Sequence, residues 1–322
     1  MNNNEKSKPS FLIVGAGAVG CYYGSRLIQA GCDVTFLSRG KRYEYLSQNP
    51  LTIKSYQGDY EVSGKFVETV EGLSPDIVIL ATKSNDLKTA CEQIKGIVSD
   101  KTSIISFLNG IESENVISSI LPETDVIGGI AFIGSELDEK FILQHTAAGH
   151  ILIGNIEGVS KPEKRRFPLE EIKAILKTVN VRAKLSDDIH REFWNKMLWN
   201  TGFNALCAIT GRSAQALLKF PETRELVFNL MKECSEVAIA SGYQVTEEEI
   251  KQNIELTEQQ PRDVIPSMLQ DHRAGKHMEI EEINGKVVDI GHDLGIPVPC
   301  NENVTAIISI WNAQVDVDFA RL

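Results

Sequence analysis

Phe11-Leu-Ile-Val-Gly15-Ala-Gly17-Ala-Val-Gly20 is the stretch that decides the fold. Four apolar residues run into three glycines spaced G-x-G-x-x-G, and helix-compatible residues follow to Ala30. That order is a buried strand, a tight turn and a helix start. Gly15 then permits the turn, Gly17 lets main chain approach a pyrophosphate, and Gly20 lets the helix pack close to the strand. The helix N-terminus presents unpaired N–H groups and partial positive charge to phosphates. Gly15, Ala16, Gly17, Ala18, Val19 and Gly20 are therefore the expected dinucleotide loop. The alternative is a purely structural glycine turn.

Outward from this loop, Val34-Thr-Phe-Leu37 reads as the second strand. In NAD-binding sheets an Asp or Glu at its tip holds the ribose hydroxyls. Here the tip is Ser38-Arg39-Gly40-Lys41-Arg42, with three cations within four residues and no carboxylate. Arg39 offers a planar fork to a 2′-phosphate, and Lys41 or Arg42 adds charge. The expected cofactor is NADP(H); the other reading is a solvated basic loop. A hairpin is expected in Leu51–Val62, around Gly58-Asp59. Asp76–Ala81 and Ser103–Leu108 read as buried strands, with a helix over Asp86–Val98 between them. Alternating strands and helices imply a parallel, doubly wound sheet. Lys83 and Asn109 fall at carboxyl ends of its strands, where such sheets bind ligands; each also suits an ordinary turn. Val126–Ile133, Phe141–His145 and His150–Ile153 are expected to extend the sheet antiparallel. A charged surface loop over Glu157–Phe167, a helix over Pro168–Val179 and a short strand over Val181–Ala183 follow.

From Asp187 onward strand signals stop and helical periods dominate. The expected architecture is α/β: a Rossmann-type doubly wound domain over residues 1–187, then an all-helical domain over residues 188–322. A chain of 322 residues suffices for two cores. Its net charge of −11 argues against nucleic-acid or anionic-membrane partners through bulk charge. The first ten residues are polar, so no secretory leader is expected, and no apolar run is long enough to span a bilayer. Cys21, Cys32, Cys91, Cys207, Cys234 and Cys300 include no C-x-x-C pair, which fits reduced thiols of a cytoplasmic protein. His145, His150, His190, His272, His277 and His292 have no H-E-x-x-H-type spacing, so no metal is expected.

The second half carries the chemistry. In His190–Asn204, residues Lys196, Asn200 and Asn204 are spaced four and four and share a helix face. The other faces carry Phe193, Trp194, Met197 and Trp199. Buried amides need partners, and a lysine among apolar groups gives up its proton more readily, which suits it to proton transfer. A solvated polar stripe is the alternative. Further on, Glu279 stands near a helix start as a ligand or a surface charge, while Glu281 and Glu282 read as solvent-facing.

Taken together, these blocks resemble the ketopantoate reductase (2-dehydropantoate 2-reductase) family over nearly the whole chain. The resemblance rests on the Gly15–Gly20 loop, Lys83, Asn109-Gly110, Glu192-Phe-Trp-x-Lys196-x3-Asn200-x3-Asn204, Ser267-Met-Leu-Gln-Asp271 and Glu279-Ile-Glu-x-Ile-Asn-Gly285. Lys with Asn four residues on is shared by the wider β-hydroxyacid dehydrogenases; the last three blocks together are specific. The resemblance implies NADPH-dependent reduction of 2-dehydropantoate to pantoate. It implies Lys196 as proton donor, Asn109 against both ribose and substrate, and Asn200, Asn204 and Ser267 on substrate oxygens. Glu279 would complete the catalytic site near substrate and cofactor, and Lys83 and Gly134 would contact the cofactor. The expected partner is a small 2-oxo acid, and the expected assembly a monomer or homodimer. The chain departs from the family at Met278, where threonine is usual, at Pro266, where a serine is common, and at Ala214, where a substrate asparagine is expected. A reductase of another small oxo or hydroxy acid, and a non-catalytic NADPH-binding regulator, are the competing readings; the intact Lys-Asn-Asn stripe argues against the second.

Overall fold

In the computed structural model, which describes residues 8–319, the apolar run becomes β1 (Ser10–Val14) and the glycines lead into α1 (Ala18–Gln29). The polar opening residues 1–7 lie outside the described residues. The chain goes on through β2 (Asp33–Leu37), α2 (Gly40–Leu46), β3 (Leu51–Ser55), β4 (Tyr60–Val62), β5 (Lys65–Val67), β6 (Ile77–Leu80), α3 (Leu87–Ile94), β7 (Ser103–Ser106), α4 (Ser113–Ile120), β8 (Asp125–Leu137), β9 (Leu143–Asn155), α5 (Leu169–Lys177) and β10 (Ala183–Ser186). The strands form one ten-stranded sheet in the order β4-β3-β9-β8-β7-β6-β1-β2-β5, with β10 also paired to β9. From β5 across to β8 every pairing is parallel.

Both faces of this sheet are covered, which explains why its central strands read as unbroken apolar runs. Phe11 and Ile13 pack in one core with Tyr22, Tyr23 and Leu27 of α1 and Ile172 and Leu176 of α5. Leu12 and Val14 pack in the other with Leu87, Cys91 and Ile94 of α3 and Ile117 of α4. Burying each such side chain contributes about 1.5–3 kcal/mol. Beyond β1 the connection runs to β2 on one side, whereas β6, β7 and β8 build outward on the other. The strand order therefore reverses between β1 and β6, at the place where such sheets form a crevice.

Three expectations are corrected. β8 is parallel to β7 rather than antiparallel; the antiparallel partner is β9, against β8. The segments Phe141–His145 and His150–Ile153 belong mostly to one continuous β9, starting at Leu143. Ala148 and Gly149 take φ values of 56° and 105° inside it and shift the register, which is why the alternation breaks in the sequence. The segment Glu157–Phe167 is irregular, yet its Arg165 side chain is only 5% exposed and Asp125 1%. Arg165 grips that carboxylate at 2.7 and 3.1 Å, and Ser103 and the Lys161 N–H also donate to it. The loop is thus strapped to β8 by a fully hydrogen-bonded buried pair.

Residues His190–Leu322 form a second compact unit, distinct from Met1–Ile189. It contains α6 (Ile189–Thr210, which begins on the last residue of the first unit), α7 (Ala214–Leu218), α8 (Pro221–Ala240), α9 (Glu247–Glu258), α10 (Ser267–Arg273), one π turn (Glu281–Gly285), α11 (Lys286–Leu294) and α12 (Pro299–Phe319). No strand occurs among its described residues. Pro221 opens α8, a Thr246–Glu249 capping box opens α9, and Gly295 at φ 69° closes α11. Gly202 lets α6 approach α8, since a Cβ there would lie 2.5 Å from the Met231 methyl carbon.

Candidate active site

The candidate residues of the first unit form a group built mainly from backbone. Gly15 has φ 97°, and a Cβ on it would stand 2.6 Å from the Ala81 carbonyl carbon, so the turn leaving β1 touches the chain leaving β6. A Cβ on Gly20 would stand 2.2 Å from the Gly15 carbonyl oxygen, so only glycine lets α1 start so close to the turn. Gly17 differs: nothing lies within 4 Å of where its Cβ would point, so that side of the turn is open. Gly17 also caps α1 without a side-chain hydrogen bond, and the first turn holds no acid. These features fit a diphosphate: open approach, uncapped N–H groups and no repelling carboxylate.

Around that turn the neighbouring strand ends carry polar groups. Ser38 follows β2 and Thr82 follows β6; both hydroxyls are buried with no hydrogen-bond partner. Two orphaned hydroxyls flanking the glycine turn fit an edge that a polar ligand would complete. Arg39 is N-cap of α2, so the expected basic loop is the start of a helix. Its side chain is 74% exposed and pairs with Asp86 at 3.9 Å, an exposed contact worth little. Lys41 is exposed, while the Arg42 Nε is buried without a partner. Burial pushes the Cys21 thiol, in the first turn of α1, up to about 12, against the opposing pull of Arg42. Arg42 thus lends positive charge close to the start of α1. Lys83 and Asn109, both half-buried, follow β6 and β7 on the same carboxyl edge. Gly134 sits within β8 at a register shift, where a Cβ would meet Thr146 Oγ1 at 2.9 Å; strand pairing alone gives a reason for that glycine.

The candidate residues of the second unit form a separate group built from side chains. Asn200 and Asn204 are 6% and 2% exposed on α6, and Lys196 one turn earlier is half-buried. The Asn204 Oδ1 is buried and has no partner. α6 is anchored by Trp199 Nε1 donating to Thr257 Oγ1 at 3.0 Å and by Asn253 Nδ2 donating to Asn195 Oδ1 at 3.3 Å. Glu279 is 8% exposed and immediately precedes Ile280 and the π turn, an irregularity common at functional sites. Glu281 is exposed, but Glu282 is half-buried, contrary to expectation. Burial, with repulsion from Glu279 and Glu281, holds the Glu282 carboxyl above the usual range. Ser267 is exposed as the first residue of α10, behind Pro266 at its N-cap. The segment before it is held by Val264 O accepting from Ala214 N and by Val264 N donating to Gln215 Oε1. Ala214 is fully buried and joins this anchoring through its backbone.

The expected residues thus gather into two sets, one per unit. Sequence reasoning missed Ser38 and Thr82, although both stand at the strand tips it marked. It also missed the buried amides of Asn284, Asn301 and Asn312. Their partners lie 17 to 83 residues away in the chain, so no local spacing announces them.

Comparison with known proteins shows the family. The sequence model described as "Ketopantoate reductase PanE/ApbA" matches residues 11–158, and its C-terminal counterpart matches residues 188–311. The chain belongs to the ketopantoate reductase family. It is therefore an oxidoreductase acting on a CH–OH group with a nicotinamide cofactor. Among curated members of the family, 2-dehydropantoate 2-reductase of Pyrococcus horikoshii is 29% identical, over 92% of this chain and 95% of that one. "Uncharacterized oxidoreductase YkpB" of Bacillus subtilis is 28% identical, over 94% and 99%. The crystal structure of 2-dehydropantoate 2-reductase from Geobacter metallireducens GS-15 has a TM-score of 0.85 and 29% identity, covering 93% of this chain and 99% of that one.

Proposed function

We propose that this protein reduces 2-dehydropantoate to (R)-pantoate with NADPH, and that Lys196 is the proton donor. The observation that carries the reading is the α6 face: a half-buried lysine followed, one and two turns on, by two buried amides, one with an unpartnered oxygen. A reduced nicotinamide, held by the Gly15–Gly20 turn and Lys83, would supply a hydride for the C2 carbonyl carbon. The protein's part is to stabilise the charge that gathers on the carbonyl oxygen, and an ammonium at Lys196 does this and then gives up its proton. Asn200, Asn204 and Ser267 hold the oxygens of the acid, replacing a random encounter by a fixed geometry. Asn109 and Glu279 act at the junction of acid and cofactor.

NADPH rather than NADH is favoured by the second strand's tip. Arg39 and Lys41 are exposed there, and the Arg42 Nε and Ser38 hydroxyl are buried without partners. The Asp86 pair leaves Arg39 available, because an exposed contact of that length exchanges readily for a phosphate. Gly15 to Gly20, Lys83 and Gly134 complete the cofactor contacts in this reading.

A second reading, a paralogue reducing another small 2-oxo acid, is favoured by Pro266, Met278 and Ala214. All three alter the acid-binding side and leave the glycine turn and Lys196 untouched. A spectrophotometric assay of NADPH oxidation with 2-dehydropantoate and a panel of 2-oxo acids tests both. The proposal expects 2-dehydropantoate to give the highest kcat/KM. Preference for an acid lacking the pantoate hydroxyl contradicts it and selects the paralogue.

A further inference from the structure

Two buried asparagines hold the chain on either side of Glu279. Asn312 of α12 is 3% exposed. Its Oδ1 accepts from the Met278 N–H at 2.9 Å, and its Nδ2 donates to the Met278 carbonyl at 2.8 Å. That pair of hydrogen bonds copies one rung of a sheet and fixes the backbone one residue before Glu279. Asn284, fully buried in the π turn, acts on the other side. Its Nδ2 donates to the Thr201 carbonyl at 3.1 Å and to Asn301 Oδ1 at 2.9 Å. Its amide orientation follows from these partners. A carbonyl only accepts, and Asn301 has committed its Nδ2 to Leu230 O and Glu233 Oε2. Thr201 directly follows Asn200, so Asn284 bonds the α6 backbone in the middle of the Lys-Asn-Asn stretch. Glu233 ends the series by accepting the Cys300 and Asn301 N–H groups at the start of α12. One helix therefore carries both supports, Asn301 near its start and Asn312 three turns on.

We propose that Asn312 and Asn284 are positioning residues that fix Glu279 relative to the Lys196–Asn200–Asn204 face of α6; this rests on the roles proposed for those groups above. Residues 276–279 lie outside any helix and pass into a π turn. Such a segment lacks the regular i→i−4 ladder; main-chain bonds from Lys276 N to Asp271 O and from Ile280 N to Met278 O hold it in part. The Asn312 amide adds two more at Met278, and Asn284 ties the following π turn to α6. The grip on Met278 is entirely through its backbone, so it is indifferent to the side chain at that position. Displacement of a catalytic group by about 1 Å costs on the order of 100-fold in rate.

Asn312→Asp tests this. The carboxylate still accepts from the Met278 N–H but faces the Met278 carbonyl as acceptor against acceptor. Protonation restores the donor in a nearly identical shape. Turnover, NADPH affinity and thermal midpoint are measured from pH 5 to 8 for wild type, Asn312→Asp, Asn284→Asp and Glu279→Gln. The expected result is that each aspartate variant, relative to wild type, loses at least tenfold in kcat at pH 8 and recovers part of it towards pH 5. KM for the oxo acid and NADPH affinity stay within about threefold. Asn284→Asp repeats the logic at the Thr201 carbonyl, should Asn312→Asp not fold. Aspartate variants that track wild type at every pH overturn the inference. So does a loss that follows the thermal midpoint with no acid-side recovery. If Glu279→Gln keeps full turnover, the role given to Glu279 falls and takes this inference with it. If Glu279→Gln is inactive while both aspartate variants match wild type, only the positioning inference falls.

Discussion

The candidate groups of the two units are made of different materials. In the first, the candidate binding groups are mostly backbone: Gly15 and Gly20 are required because a Cβ would meet main chain at 2.6 and 2.2 Å, and the space above Gly17 is open. In the second, the groups are side chains on one long helix, held by buried amides from distant parts of the chain. The difference teaches what each half tolerates. A backbone site fails when bulk is added and has few side chains to lose. A side-chain site fails by truncation, one group at a time, and leaves the other unit's ligand in place.

That contrast can be broken in order of expected size. Gly20→Val puts branched carbons onto the Gly15 carbonyl; overpacking of this kind forces the turn to move. NADPH and NADH should both bind on the order of 100-fold more weakly by fluorescence titration, and unchanged binding refutes the backbone account. Arg39→Ala should weaken NADPH by about 10- to 100-fold, the worth of a charge-assisted bond, and leave NADH within about twofold. Equal loss for both cofactors removes the 2′-phosphate assignment. Asn204→Ala should raise KM for the oxo acid by about tenfold with NADPH affinity unchanged; a loss of cofactor affinity instead shows that the two halves are not separable in this way.

The smallest effect concerns stability in the first unit. Burial, with repulsion from Arg26, holds the His145 ring below its usual pKa, against Tyr22 at 4.3 Å. The unfolded chain then takes up the proton first. Stability present above pH 6.5 is lost as pH falls from there through the depressed folded value, by at most about 1.4 kcal/mol per pH unit for one such group. His145→Gln should flatten part of this acid-side decline in denaturant midpoints. The rest remains, because burial and nearby Arg182 and Lys184 also depress His150. An unaltered slope means that His145 does not contribute.

The same contrast explains what could be read from the sequence. The glycine turn was legible because its physics is local: three glycines at fixed spacing between a strand and a helix leave few other structures. The strand-end positions of Lys83 and Asn109 followed from the alternation of elements. β5 was not legible, because three residues on the edge of a sheet give no pattern. β9 reads as two strands because the bulge at Ala148-Gly149 interrupts its alternation. Arg165 looked like one cation of a charged loop, since its partner Asp125 lies 40 residues earlier. In the second unit the α6 stripe was readable from helical spacing, but Asn284, Asn301 and Asn312 were not. Each is an ordinary polar residue until the fold brings its partner to it.

The proposed division of labour gives dinucleotide binding to the glycine turn and proton transfer to Lys196. It is tested most directly with Lys196→Ala, by measuring NADPH affinity and NADPH oxidation with 2-dehydropantoate in parallel. The expected result is wild-type NADPH affinity with kcat lower by a factor on the order of 100 or more. An unchanged kcat, or loss of NADPH binding in step with it, refutes this division.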